Sequence, residues 1–520
     1  MNNYNTSIKA IARGAGIAFA GMFISKLLTY LFRLVTARYG VENYGFLSLA
    51  ITVAVFAIAI STLGLEKGIM RYVAYFIEKK QMGKVKGVLL TAFFYSLIFS
   101  IILTVCALIG LSWFNQTFFP NIKAKEFEMI MRVVLVVVPL QVSMKMLIAA
   151  YRAFGKPEYA VYTSNITEGG VKLLLAIVMF LFGFGILGIS LAYSLAIFCS
   201  VVLGYFLLFK MLPDTVKTIK AKYVTKELLA YSLPLAFTGI FYSMLTSIDT
   251  FMLGYFKGGY IVGIYNAVVP TAQLMFIFPF ALLTLFVPIL TSLYASKNRD
   301  AFRGAYKTVS KWILLFSLLV FGIFLVYSKP LLTALFGPEY ASGHLALLFL
   351  SAGYLFSFFV YVSENMLIVI KKTKVVFYNY IIVSILNIGF NYALIPKYGA
   401  EGAAIATGLS YVAWGLLLLY QSKRYAGILP FAPSLKRIIP AYIPVLLIFL
   451  VLKPILPVSG IITLVIGSGL FTIAFMMSLL ISRSFEREDQ VVVASIEQKL
   501  GIRIAWLNRF LKRFINNTGR

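Results

Sequence analysis

The sequence predicts an all-α polytopic membrane protein of about fourteen transmembrane helices. Three observations carry that prediction. Hydrophobic residues make up 61% of the 520 and charged residues only 12%, more apolar surface than one soluble core can hide. Apolar runs of 18 residues or more recur along the chain, the length that crosses bilayer hydrocarbon. The ten-residue alternating segments of a membrane β-barrel are absent from the sequence.

Taken in order, the expected spans cover residues 14–38, 43–64, 86–113, 127–150, 160–183, 185–210, 228–252, 261–294, 310–328, 345–369, 376–395, 402–420, 438–456 and 459–482. The polar start Met1 to Arg13 runs into the first span with no small-residue cleavage site, so that span is expected to stay in place. The eighth carries Pro270, Pro279 and Pro288, each of which removes a ladder hydrogen bond and invites a kink. The connections alternate in charge: 35 of the 47 Lys and Arg fall on one side and eight on the other. By the positive-inside rule both termini are expected to be cytoplasmic. The net charge of +29 is thereby read as topology and lipid contact, with no nucleic acid as partner. From Ser495 a basic amphipathic tail is expected, with Ile496, Leu500, Ile504, Leu507 and Leu511 on one face, lying against anionic lipid.

Three pairs of stretches repeat. VSMKMLIAAYR (Val142–Arg152) matches VSENMLIVIKK (Val362–Lys372), the turn after Arg33 matches the turn after Asp249, and GILGISLA (Gly185–Ala192) matches GAEGAAIA (Gly399–Ala406). Six spans per unit is an even number, so both units insert the same way round, in a parallel pseudo-twofold repeat. The expected organisation is an N-lobe over 1–213, a C-lobe over 214–425, two added spans over 426–483 and the basic tail over 484–520.

Charges inside the spans are the candidate functional residues. The first lobe holds Lys26, Arg33, Lys145 and Lys172, with Glu168 as its one acid. Lys26 and Arg33 are seven apart and share a helix face; Glu168 and Lys172 are spaced to pair. Each buried cation costs about 2.5–3.5 kcal/mol on insertion scales, so four cost on the order of 10 kcal/mol. A wet cationic cavity that offsets this suits a phosphate or pyrophosphate. The second lobe offers Asp249, Glu364, Asn387 and Asn391 for coupling or gating. Arg33 is alternatively expected to be a gate partner for Asp249 rather than a substrate ligand, which leaves Lys26 the stronger phosphate candidate. Cys106, Cys199 and His344 are scattered, so neither a disulfide nor a metal site is expected. No phosphate-loop motif occurs, so no nucleotide cofactor is expected. The short outer loops and single histidine argue against a membrane polymerase or ligase, and the chain is not expected to be an enzyme.

Four stretches give the chain a family likeness: FRLVTARYGVENYGFLSLA (Phe32–Ala50), STLGLEKGIMRYVA (Ser61–Ala74), VGIYNAVVP with FVPILTSLYA (Val262–Pro270, Phe286–Ala295), and NIGFNYALIPKYGAEGAAIATGLSY (Asn387–Tyr411). Over roughly residues 10–425 the sequence resembles the Wzx-type oligosaccharide-lipid flippases, the polysaccharide-transport branch of the multidrug/oligosaccharidyl-lipid/polysaccharide exporter superfamily. The resemblance implies a flippase of polyprenyl-(pyro)phosphate-linked oligosaccharide in the cytoplasmic membrane, working by alternating access through a cationic central cavity. By position rather than by exact motif, Lys26, Arg33, Lys145 and Lys172 fit the phosphate-binding role. Implied partners are the lipid-linked oligosaccharide, membrane lipids and a polysaccharide polymerase or glycosyltransferases. Two relatives in the same superfamily stay open: a cation-coupled multidrug exporter, for which Asp249 and Glu364 would serve, and a lipid II flippase.

Overall fold

The computed structural model describes residues 21, 23–453, 460–486 and 489. The start of the first expected span and the amphipathic tail lie outside the described residues. Helices account for nearly all of the rest, and no strand occurs among the described residues. The chain forms two compact units, Met1–Asn266 and Ala267–Arg520.

In the first unit, α1 (residues 23–37) leads through a turn at Gly40 into α2 (Val41–Ser61). There follow α3 (Leu65–Glu78), α4 (Met82–Ile109), α5 (Leu111–Phe118), α6 (Lys125–Leu135) and α7 (Val138–Ala153). Next come α8 (Pro157–Ala160), a π-helical segment Val161–Thr167, α9 (Glu168–Leu181), α10 (Gly185–Met211) and α11 (Asp214–Thr218). The last are α12 (Thr225–Lys257) and the first half of α13 (Gly259–Ala272). The core joins α3, α4, α7 and α10 through Leu65, Ile69, Val73, Val88, Met146, Leu147 and Ile197. Leu65, Ile69, Val73 and Phe76 recur every three or four residues, so α3 buries one stripe there and turns Lys67 and Arg71 outward.

Glycine sets the closest approach in this unit. Gly40 and Gly258 hold φ of 98° and 81° at the starts of α2 and α13. A Cβ added at Gly45 would meet the Gly259 carbonyl oxygen, and one at Gly263 the Val41 carbonyl oxygen, each within 3.0 Å. The two backbones therefore touch, which only a missing Cβ permits.

In the second unit, a 3₁₀ turn (Gln273–Phe276) separates α13 from α14 (Ile277–Ala295). The expected eighth span is thus two helices, broken just after Pro270. α15 (Arg299–Leu335) departs from helical geometry at Tyr327, three residues before Pro330, where the proline ring crowds the preceding turn. α16 (His344–Val360) and α17 (Val362–Val369) follow. α18 (Thr373–Ala426) is interrupted at Gly399, with φ of 55°, after Pro396, between the eleventh and twelfth expected spans. α19 (Leu435–Leu452) and α20 (Ile461–Ile481) pair with one another and with α15.

Eleven helical stretches among the described residues are long and apolar enough to cross a membrane. α18 is one of these although it holds two expected spans, and α1 and α16–α17 occupy two more. The architecture is consistent with fourteen spans. Large apolar side chains such as Leu181, Phe206, Ile462 and Ile481 stand on the outside, a surface suited to hydrocarbon.

Candidate functional site

In the first unit three cations gather on α1 and α9. The π-helical segment before α9 disrupts the regular ladder, and Ser200 of α10 donates to the Thr163 carbonyl there at 2.9 Å. One turn later Glu168 and Lys172 face the same way. Lys172 is 7% exposed, and its ammonium lies 3.7 Å from Glu168 Oε1. The rings of Phe32 and Tyr193 lie 5.4 and 5.6 Å from it, close enough for cation–π attraction. Arg33 follows Phe32 on α1 and is half-buried. Its guanidinium donates to the Tyr44 hydroxyl at 3.3 Å and to the Asn266 carbonyl at 3.5 Å. Tyr44 in turn donates to the same carbonyl at 2.8 Å. The Arg33 charge acts on both Lys172 and Lys26, and Glu168 is the acid beside Lys172. A site of this sign attracts a multiply charged anion.

The remaining candidates are placed as follows. Lys26 is exposed on α1, two turns before Arg33 on the same face. Lys145 is exposed on α7, and among the described residues nothing joins it to the cluster. Asp249 of α12 is 6% exposed and accepts a 2.7 Å hydrogen bond from the Tyr265 hydroxyl. Tyr265 and Asn266 are adjacent, so Arg33 and Asp249 are both anchored on one turn of α13. In the second unit, Glu364 of α17 is 5% exposed and accepts from Tyr380 of α18 at 2.6 Å; its other carboxylate oxygen is buried with no hydrogen-bond donor among the described residues. Asn391 donates to Asn387 at 3.0 Å, and Asn387 to Thr407 at 3.0 Å, across the two halves of α18. Asn379 and Gln421 bridge the same halves through paired amides at 2.8 and 2.7 Å.

The partners Phe32, Tyr44, Tyr193, Tyr265, Asn266, Tyr380 and Thr407 are not among the sequence candidates. Tyr44, Tyr265 and Asn266 lie inside the stretches YGVENYG and GIYNA, so the motifs marked the place without the role. Also beyond the sequence reading is Lys311 of α15. It is 1% exposed and bound to Asp489 at 2.5 Å, and Trp312 Nε1 donates to the same carboxylate at 2.9 Å.

A fold of apolar helices long enough to cross a bilayer, with Arg33, Lys172 and Glu168 set within them, defines a multi-span membrane protein. Solved structures with this fold include an inward-facing multidrug resistance MATE family transporter of the MOP superfamily (TM-score 0.68, 17% identity, 79% of this chain and 98% of that one). They also include the lipid II flippase MurJ in an inward closed conformation (TM-score 0.69, 15% identity, 89% and 98%). The family described as polysaccharide biosynthesis protein matches residues 11–294, and the MatE family matches residues 234–393. The chain belongs to the polysaccharide biosynthesis protein family.

Among curated relatives, the Staphylococcus aureus capsular polysaccharide biosynthesis protein CapF is 26% identical over 38% of this chain and 50% of its own length. The uncharacterized membrane protein MJ1375 of Methanocaldococcus jannaschii is 27% identical over 48% and 60%. The match thus spans about half the length of each of these relatives.

Proposed function

We propose that this protein is a flippase that moves a polyprenyl-(pyro)phosphate-linked oligosaccharide from the cytoplasmic to the outer leaflet of the cell membrane, with both termini cytoplasmic. The observation that carries this reading is the Lys26–Arg33–Lys172 cluster with Glu168 beside it. Cations are retained in apolar helices against a cost of about 2.5–3.5 kcal/mol each, and a phosphate offsets that cost where lipid does not. Family membership and the likeness to CapF support a sugar polymer as the cargo. Arg33, held by Tyr44 against the Asn266 carbonyl, is preorganised to donate to an anionic oxygen. Lys172 supplies a second charge, tempered by Glu168 so that the head group is released after crossing. Downstream, a polysaccharide polymerase or glycosyltransferase consumes the exported unit.

Deletion of the gene followed by extraction of lipid-linked sugars tests this. The expected result is an oligosaccharide-lipid that accumulates in the inner leaflet, relieved by the wild-type chain. Unchanged lipid-linked sugars with new sensitivity to cationic dyes would overturn it. That outcome would favour the cation-coupled exporter reading, for which the buried Glu364 with one carboxylate oxygen unbonded is the supporting observation.

A further inference from the structure

Lys67 and Arg71 stand apart from the cluster on α1 and α9. They lie in GLEKGIMR, where Gly64 and Gly68 are one turn apart on one face and Arg71 is the next residue on that face. A Cβ at Gly64 would meet the Ser232 carbonyl oxygen, and one at Gly68 the Ser232 hydroxyl, each within 3.0 Å. α3 therefore lies directly on α12 at Ser232. That contact carries Arg71 onto the neighbouring Tyr231, with its guanidinium carbon 4.3 Å from the ring centre and 5.7 Å from that of Tyr72. Beyond it the two helices leave a cleft of about 360 Å³, lined by Lys67, Met70, Arg71, Tyr231, Leu235 and Thr238.

The lining has two kinds of chemistry. Lys67 and Arg71 are cations, and neither forms an ion pair among the described residues. A guanidinium stacked on a ring is fixed in plane while its N–H edge stays available for a two-pronged bond to phosphate. Met70, Leu235 and the Tyr231 ring give an apolar wall beside those donors. A solvated basic face needs neither a stacked arginine nor an apolar wall.

We propose that this cleft binds the phosphate of a lipid, with Arg71 and Lys67 on the phosphate oxygens and the first part of the aliphatic chain along Met70, Leu235 and Tyr231. The ligand chemistry is a phosphate ester on a long apolar chain, supplied either by the polyprenyl phosphate of the cargo or by an anionic phospholipid. The cleft lies on the Lys-rich side assigned to the cytoplasm. In the first case, which rests on the flippase reading, it is where the head group is captured before translocation.

The test is retention of added polyprenyl phosphate and of phosphatidylglycerol by the purified full-length chain in detergent, read by native mass spectrometry. Lys67→Gln with Arg71→Gln is expected to lower polyprenyl phosphate binding at least tenfold, and Arg71→Lys to lower it less. Lys423→Gln with Lys436→Gln removes the same charge from exposed positions elsewhere and is expected to change nothing. Loss confined to polyprenyl phosphate assigns the cleft to the cargo; equal loss of both lipids assigns it to membrane phospholipid. Unchanged binding of both lipids, or equal loss in the control pair, overturns the proposal. Unchanged binding together with accumulated lipid-linked sugars in the deletion strain would remove the cleft and leave the flippase reading standing. Retained cleft binding without such accumulation would do the reverse.

Discussion

Replacing Lys172 by methionine leaves the Glu168 carboxylate, with its side chain 16% exposed, without its partner 3.7 Å away. At an effective dielectric constant near 20, a pair at that separation interacts by about 4–5 kcal/mol. Stranding one member of a buried pair costs about 3–5 kcal/mol, so Lys172→Met is expected to lower stability by that order. Glu168→Gln combined with Lys172→Met removes both charges, keeps a hydrogen-bonding group and a long side chain, and is expected to fall within about 1 kcal/mol of wild type. The methionine thioether still rests against Phe32 and Tyr193, replacing the cation–π contact by an S–aromatic one. The two variants thus separate folding from transport: the double variant is expected to fold and to fail in export. Thermal unfolding in detergent reads the first, and complementation of glycan export in a deletion strain reads the second. Wild-type export by the folded double variant would refute Lys172 as a phosphate group. An unshifted unfolding midpoint for Lys172→Met alone would refute the ion pair as a structural element.

Two further expectations follow from close packing and from buried charge. Gly45→Ala and Gly263→Ala each force α2 and α13 apart, at about 1–3 kcal/mol, whereas Gly304→Ala, with open space around it, is expected to be neutral or stabilising by up to about 1 kcal/mol; unfolding midpoints in detergent check the contrast. Asp489→Ala leaves Lys311 buried with Glu486 at 3.6 Å, a loss of about 3–5 kcal/mol that Lys311→Met with Asp489→Leu is expected to recover. Thermal unfolding, together with faster proteolysis beyond Ile481 in the single variant alone, checks it.

How far the sequence could be read depends on which physical signal each feature leaves. Long apolar runs decide membrane helices on their own, because lipid forbids unpaired backbone, and the spans follow them closely. The breaks inside the runs were half visible. Pro270 announces its break, but nothing local announces the π segment before Glu168, which is held by Ser200 from another helix. The cations were legible because a charge in an apolar run is costly wherever it points. Their partners were not, since Tyr44 and Tyr193 reach Arg33 and Lys172 only when α2 and α10 pack near α1 and α9.

The repeat joins the two cases. Gly40 and Gly258 both open a helix with positive φ, and Gly45 and Gly263 each lie five residues further on. In the fold Gly45 sits on Gly259 while Gly263 sits on Val41, so the first residue of each helix meets the fifth of the other. A self-complementary contact between two copies of one segment has this reciprocal form. The backbones of the two turns therefore share one geometry. The side chains nearby have diverged, with Arg33 held by one tyrosine and Asp249 by another. A glycine demanded by backbone contact survives duplication as a visible motif. A charge answers only to what it binds, so the two segments can carry opposite signs on one scaffold.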